Sequence, residues 1–301
     1  MTVEDTLPAH AAEPATSAPR LAGSLKGMLA KLAAEPLGLF GFAILALLVV
    51  VAILAPLIAP YDPVAQNLAG AQQPPGWQHW AGTDEFGRDI LSRLIYGTRI
   101  TIQTVLAVSL IVGPVGLLIG IVAGFVGGWT DAILMRFTDI VLSFPSLILA
   151  LAFAAALGAG LETAIVAISL TGWPPIARLA RAETLIVRNA DYVAAARLYG
   201  ASPWRLLVRY IAPMCVPSVV VRLTLNMAGI ILTAAALGFL GLGAQPPAPE
   251  WGAMISNGRK FMLDSWWIAV MPGVAILVTS LAFNLAGDAM RDILDPRHAR
   301  G

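Results

Sequence analysis

Charge is scarce in this chain. Asp, Glu, Lys and Arg make up 12% of its 301 residues, about half the share found in soluble globular domains. Hydrophobic residues make up 58% and the mean hydropathy is +0.78, so a soluble domain is excluded and an integral membrane protein is expected. The single cysteine, Cys215, rules out a disulfide framework and a cysteine-built metal centre. Its place at the start of an apolar run suits a small packing residue. The three histidines, His10, His79 and His298, lie outside the long apolar runs. No His/Cys/carboxylate cluster stands at ligand spacing, and no glycine-rich loop ends in Gly-Lys-Ser/Thr. The chain therefore has no equipment to hydrolyse ATP, cleave a bond or hold a redox centre. It is expected to bind no cofactor or metal, to be no enzyme, and to draw its free energy from another subunit. The net charge of +1 says nothing about partners by itself, since distribution matters here; no nucleic-acid partner is expected.

What the chain has is apolar runs. A bilayer core takes about 20 mostly apolar residues per helix. Such runs lie near Leu37–Ile58, Ile102–Val126, Ala132–Leu157, Thr163–Ala182, Pro217–Gly241 and Trp267–Ala286. The expected fold is all-α with six transmembrane helices. Pro145 in the third run and Trp173-Pro174-Pro175 in the fourth are expected to kink their helices without ending them. Residues 1–35 form a cytosolic tail, Ala/Pro/Glu-rich and aperiodic over 1–19, hence largely disordered. It is not a signal peptide, because its basic residues come late and the apolar run that follows is too long. Residues 36–60 are the first span, 61–101 an outer loop with a short amphipathic helix, 102–290 a five-span core that includes an inner loop at 183–213, and 291–301 a C-terminal tail.

Orientation follows from the basic residues of the connections. With the N-terminus inside, twelve Lys and Arg fall in inner segments, among them Lys26, Arg178, Arg181, Arg188 and Arg291. Five fall outside: Arg88, Arg93, Arg99, Arg259 and Lys260. Both termini are therefore expected in the cytosol. Trp80, Trp129, Trp266 and Trp267 fall near the interfaces, where an aromatic belt would place them.

The inner loop reads residue by residue. Asp191 suits a helix N-terminus through the dipole. Val193, Ala194, Ala195, Ala196 and Leu198 continue a compact helix with Arg197 near its end, and Gly200 can take a positive φ and stop it. Ser202 and Pro203 supply an N-cap and first-turn proline. The second helix, Trp204 to Ile211, carries Arg205 and Arg209 one turn apart and is expected to stop at Pro213. Two short helices and a sharp corner make a knob of small residues. Spacing alone leaves a docking knob and an amphipathic segment lying on the inner leaflet equally open.

In the outer loop, Gly82 and Gly87 mark turns and Asp89 can cap the following helix. Thr83, Asp84, Glu85, Arg88, Ser92 and Arg93 bring cations and carboxylates close enough to neutralise one another; a metal site on Asp84, Glu85 and Asp89 is the minor alternative. Ionisable groups inside spans need partners: Arg136 and Asp139, three apart, are expected to pair on one helix face, while Arg222 and Asp288 sit near inner ends. Asn226 and Asn284 are placed either to line a polar pathway or to hydrogen-bond across helices.

The inner loop resembles the EAA loop of ABC importer permeases, whose pattern is EAA, three residues, Gly, nine residues, then I-x-L-P. Ala194, Ala195 and Ala196 fall on the EAA positions, Gly200 on the glycine, and Tyr210, Ala212 and Pro213 on I, L and P. Ala194 replaces the usual Glu, Tyr210 the Ile and Ala212 the Leu. The outer segment Gly82–Arg93 is similar to GTDxxGRDxxSRxxxGxR, which marks the C-type permease of oligopeptide, dipeptide and nickel importers. With the ending Gly287–Arg297, the resemblance covers essentially Leu37 to Arg297. It implies a type I importer bundle in the bacterial inner membrane and a homologous B-type permease beside it. It also implies two cytosolic ABC ATPases carrying ATP and Mg, and a periplasmic or lipid-anchored solute-binding protein. The inner loop would be the coupling element pressed by an ATPase. The solute would be a peptide, with nickel, glutathione or an opine as alternatives; the competing class is an ion-coupled carrier.

Overall fold

The computed structural model describes residues 35–294, which form helices and loops with no strand. The expected disorder of residues 1–19 and the C-terminal tail beyond 294 lie outside the described residues. The first helix, α1 (Pro36–Ile58), opens on proline, whose fixed φ suits a first turn. It lies against the last helix, α11 (Trp267–Leu294), at two glycines. A Cβ on Gly41 would come within 2.8 Å of the backbone nitrogen of Ala286, so only glycine allows this approach.

Helix α2 (Ile90–Val126) runs unbroken for 37 residues. The short amphipathic helix expected in the outer loop is not separate: it forms the first turns of α2, because Asp89 caps the helix and nothing after it interrupts the ladder before the span. After Gly127 the chain turns into α3 (Gly128–Leu142) and α4 (Ser146–Leu157), then α5 (Leu161–Gly172) and α6 (Pro174–Val187). The knob follows as α7 (Asp191–Leu198) and the single turn α8 (Pro203–Leu206). Helix α9 (Ala212–Phe239), a short α10 (Trp251–Gly258) and α11 complete the chain.

The two expected kinks come out differently. Helices α3 and α4 meet at 89° across a short break, so Pro145 marks the end of a helix and not a kink within one. Pro145 cannot donate to the carbonyl one turn back, its ring disfavours helical backbone at Phe144 before it, and its own backbone is non-helical (φ −57°, ψ 122°). The Ser143 hydroxyl closes the end of α3 by donating to the Ile140 carbonyl at 2.7 Å. At Trp173 the helical ladder is interrupted, yet its backbone stays α-helical (φ −72°, ψ −28°), so α5 and α6 are joined without a loop.

Four helices are long and apolar enough to cross a membrane, and five spans result if the bent α3–α4 pair counts as one. The remaining expected passage is α5–α6. It starts beside Leu242, whose carbonyl accepts from the Gly160 N–H, and ends at the knob. Its second half carries Arg178, Arg181 and Glu183, which explains why apolarity alone does not select it.

The core is a seam between α2 and α6. Gly116, Gly120 and Gly124 repeat every fourth residue and present bare backbone to α6. A Cβ on Gly120 would lie 2.3 Å from the carbonyl oxygen of Ala177, and one on Gly124 would lie 2.8 Å from the Thr184 side chain. Small residues at this spacing let helices approach to backbone contact, where dispersion replaces the missing hydrophobic drive between helices in lipid. The Arg188 guanidinium locks the end of the seam by donating to the Gly124 carbonyl at 2.6 Å.

Ion pairing differs from the expected pattern. Asp139 pairs with Arg178 of α6 at 2.5 Å and not with Arg136, and Asp131 holds Arg181 through two bonds of 2.5 and 2.6 Å. Arginines on the facing helix reach these carboxylates across the gap, and Arg181 does so with both prongs of its guanidinium, the stronger geometry. Trp267 also leaves the expected belt: it is buried, and its indole N–H donates to the Thr83 carbonyl at 3.3 Å.

Candidate functional site

The knob is a helix, a glycine corner and a return. Asp191 stands in the first turn of α7, after Ala190 at the N-cap. At the other end, Gly200 takes φ +80°, its N–H donates to the Arg197 carbonyl, and the Ala201 N–H donates to the Ala196 carbonyl at 3.1 Å. This pair of bonds around a left-handed glycine is the Schellman ending. Ser202 then caps the return, its hydroxyl accepting from the Arg205 N–H at 3.3 Å.

The return does not stop at Pro213. The chain is helical from Pro203 through Phe239, a run of 37 residues. Pro213 has no N–H for the ladder, and the strain is absorbed by a widened π turn at Leu207–Ile211, where the Ala212 N–H reaches back to Leu207. The second arm of the knob is thus the first turn of the rod that contains α9. At about 1.5 Å per residue, that rod is roughly 55 Å long.

The knob has two apolar faces. Val193 and Ala196 point inward to a cluster with Ile121 of α2, Val187 of α6, Leu206, Ile211 and Cys215. This ties the knob to three long elements at once. Outward, Leu198 is 89% exposed, Tyr199 93% and Trp204 73%, crowded around the Gly200 corner. Ala194, Ala195, Arg197, Arg205, Arg209 and Pro213 are exposed beside them. The charged side chains of Asp191, Arg197, Arg205 and Arg209 form no ion pair with any described residue. Exposed Trp, Tyr and Arg around a fixed corner are the composition of a protein-binding hot spot. Sequence reading gave the docking role to the alanines and arginines, placed Leu198 and Trp204 only as helix residues, and passed over Tyr199. The signal was available: the inward stripe of α7 is complete with Val193 and Ala196, so the large apolar residues flanking Gly200 are surplus to it.

At the other end of the molecule, the Gly82–Arg93 segment folds into a buried polar box. Thr83 donates to the Gly70 carbonyl at 2.6 Å and accepts from the Gln73 N–H at 2.8 Å. Asp84 accepts from the N–H groups of Phe86 and Arg88 and from Arg88 Nε at 2.6 Å. Asp89 caps α2 by accepting from the N–H and hydroxyl of Ser92, each at 2.7 Å, and contacts His79 Nδ1 at 2.8 Å. Arg93 donates to the Pro63 carbonyl at 2.9 Å. Gly82 (φ +77°) and Gly87 (φ +70°) make the turns, and a Cβ on Gly87 would overlap the Asn67 carbonyl. Asp84 and Asp89 are filled by protein donors, so the arrangement acts as a staple between the loop and α2, and no group of metal ligands occurs among the described residues.

Helix α10 lies over this end, with Glu250 as its cap accepting from the Gly252 and Ala253 N–H groups at 2.8 and 2.6 Å. Burial against Gly238 pushes the Glu250 carboxyl above the usual carboxylate range, and the two backbone donors oppose the shift. The two expected pathway residues part company. Asn226 lines a cavity, whereas Asn284 is exposed on α11.

Comparison with known proteins bears on this geometry. Residues 116–300 match the family described as binding-protein-dependent transport system inner membrane component, and residues 25–75 match the N-terminal transmembrane domain of oligopeptide transport permease C. A relative in Escherichia coli strain K12, named a probable D,D-dipeptide transport system permease protein, is 46% identical over 87% of this chain and 88% of its own length. The di/tripeptide transport system permease protein of Pseudomonas aeruginosa strain UCBPP-PA14 is 43% identical over 85% of this chain and 87% of its own. Among solved structures, a chain of the MetNI methionine ABC transporter in an inward-facing conformation superposes with a TM-score of 0.56 at 19% identity. It covers 68% of this chain and 98% of that one, a likeness of fold alone.

Proposed function

Since the chain belongs to the binding-protein-dependent transport system inner membrane components, of the oligopeptide-permease C type, we propose that it forms one half of the translocation unit of an ATP-driven importer of di- and oligopeptides. The peptide assignment rests on the relatives named above. The other half is a homologous B-type permease. Two cytosolic ABC ATPases carry ATP and Mg, and a periplasmic or lipid-anchored binding protein delivers the solute. The knob and both termini face the cytosol, in keeping with the excess of Lys and Arg there.

The observation that carries the reading is the two-faced knob. A segment resting on lipid would put its apolar residues on one side, but this one buries Val193 and Ala196 inward and exposes Leu198, Tyr199 and Trp204 outward. Pressure on the exposed corner reaches α2 and α6 through the inner cluster, and α9 through the continuous rod. Closure of the ATPases would then swing α9 as one body. The test is reconstitution of the permease pair in vesicles with and without the ATPases and the binding protein. Peptide uptake should require both and ATP; uptake by the permeases alone, driven by an ion gradient, would favour the carrier class instead.

A further inference from the structure

The described structure holds two roomy cavities of very different character. One, about 140 Å³, opens between α1, α2 and α11 and is mostly apolar, with Leu48, Val51, Leu94, Ile95 and Val278 in its wall. The other, about 160 Å³, lies where α2, α4, α5, α6 and α9 converge, and its wall is mixed: Ser146, Thr171, Asn226 and Thr233 among Val112 and Ile230. It has room for several waters or one peptide group.

Asn226 sets its chemistry. It lies 14 residues after Ala212 and 13 before Phe239, at the midpoint of α9. That is about 20 Å of helix from either end, the most apolar depth available. Thr171 and Thr233 spend their hydroxyl protons on their own helix, at 3.0 and 2.8 Å, leaving oxygens as acceptors. The Asn226 carboxamide has no hydrogen-bond partner among the described residues, and its oxygen stands over bare Gly229. A polar group left unpaired in hydrocarbon is costly, so this one must meet a partner that comes and goes or stays. No charged side chain lines the cavity. Such a wall cannot neutralise the ends of a zwitterion or read charged side chains.

We propose that the Asn226 cavity is a mid-membrane station for the backbone amide of the transported peptide, its carboxamide donating to the peptide C=O and accepting from the peptide N–H. This rests on the peptide-importer reading. A neutral donor–acceptor pair recognises what all peptides share, and the contact is weak enough to release. Removing it should lower peptide delivered per ATP hydrolysed roughly three- to tenfold, the loss of one or two neutral hydrogen bonds.

The experiment uses the complete transporter in vesicles with trialanine as solute, comparing wild type, Asn226→Leu and Asn226→Gln. A second arm places Asn226→Cys in a Cys215→Ser background and measures labelling by a water-soluble thiol reagent, with and without trialanine-loaded binding protein. The expected result is a fall in trialanine per ATP for N226L, recovery in N226Q, and labelling of N226C that loaded binding protein slows. An unchanged ratio in N226L, or no labelling of N226C in any nucleotide state, overturns the proposal. So does N226L that fails to copurify with its partner permease, which would make Asn226 a subunit contact. A wild-type complex that couples ATP hydrolysis to uptake of a non-peptide solute and moves neither dipeptides nor trialanine overturns the peptide reading, whereas the N226C labelling still reports whether the cavity is on an aqueous path.

Discussion

At the residue scale, Gly200 and Asp84 are held in opposite ways. Gly200 stands in open space, with nothing within 4 Å of a would-be Cβ, so its constraint is conformational only. Holding a side chain at φ +80° costs about 1–2 kcal/mol. Gly200→Val should therefore leave the chain folded and assembled while displacing Leu198, Tyr199 and Trp204 from one another; ATPase stimulation by loaded binding protein should fall sharply. Full stimulation with the ATPases bound would show that the corner is not the input. Asp84 is the reverse case, buried with Arg88 and Arg93 around it. Asp84→Ala strands two buried guanidiniums, and breaking such a pair costs about 3–5 kcal/mol. A thermal-unfolding loss in detergent smaller than a surface ion pair gives, under about 1 kcal/mol, would refute the staple.

Glu250 adds a pH dependence. Its folded pKa is raised by burial, so its stabilising contribution is whole below the unfolded value of about 4.3 and fades as pH rises through the folded one. Wild type should lose stability relative to Glu250→Gln on going from acid to neutral pH. The opposite slope in paired unfolding curves would mean that the two backbone donors outweigh desolvation.

At the element scale, the α2–α6 seam is sensitive to a single methyl group. Gly120→Ala puts a carbon 2.3 Å from a backbone oxygen, whereas Gly273→Ala, on α11, meets nothing within 4 Å. Overpacking costs about 1–3 kcal/mol, while relief of glycine's chain entropy returns about 0.5–1 kcal/mol. Unfolding should thus shift down for G120A and slightly up for G273A; equal shifts would show that the seam tolerates spreading. The continuous rod through Pro213 has the same lesson about what a proline means. Pro145 stands at a helix break among the exposed residues 143–148, whereas Pro213 is absorbed by the π turn above a buried Ile211 and Cys215. A local pattern contains the proline but not its surroundings.

At the scale of the molecule, legibility divides along the same line. The Gly200 ending, the Ser202 cap and the Asp89 cap follow from short-range chemistry and stand in the structure as read, while the six apolar runs return as four long helices and a bent pair. The pairing of Asp139 with Arg178, the burial of Trp267 and the Gly116–Gly120–Gly124 seam depend on which helices face one another, 39 or more residues away in the first case, and periodicity carries no such information. The cavity at Asn226 belongs to this second kind: a lone amide in a span is ambiguous until four neighbouring elements close around it.

The break between α3 and α4 carries a consequence for the life of the protein before it works. It lies about 22 Å along the helix from Gly128, inside the third apolar run, and residues 143–148 are exposed around it. Helix ends uncovered in lipid leave carbonyl and amide groups without partners, which only another protein surface can remedy. A newly inserted copy without its companion thus wears a mark of incompleteness, legible to the membrane's own proteases. Pulse-chase of the chain expressed alone should show rapid clearance and coexpression with the partner permease should lengthen its half-life severalfold; equal half-lives would mean that lipid alone satisfies the break. The abundance of one subunit would then be metered by the synthesis of the other.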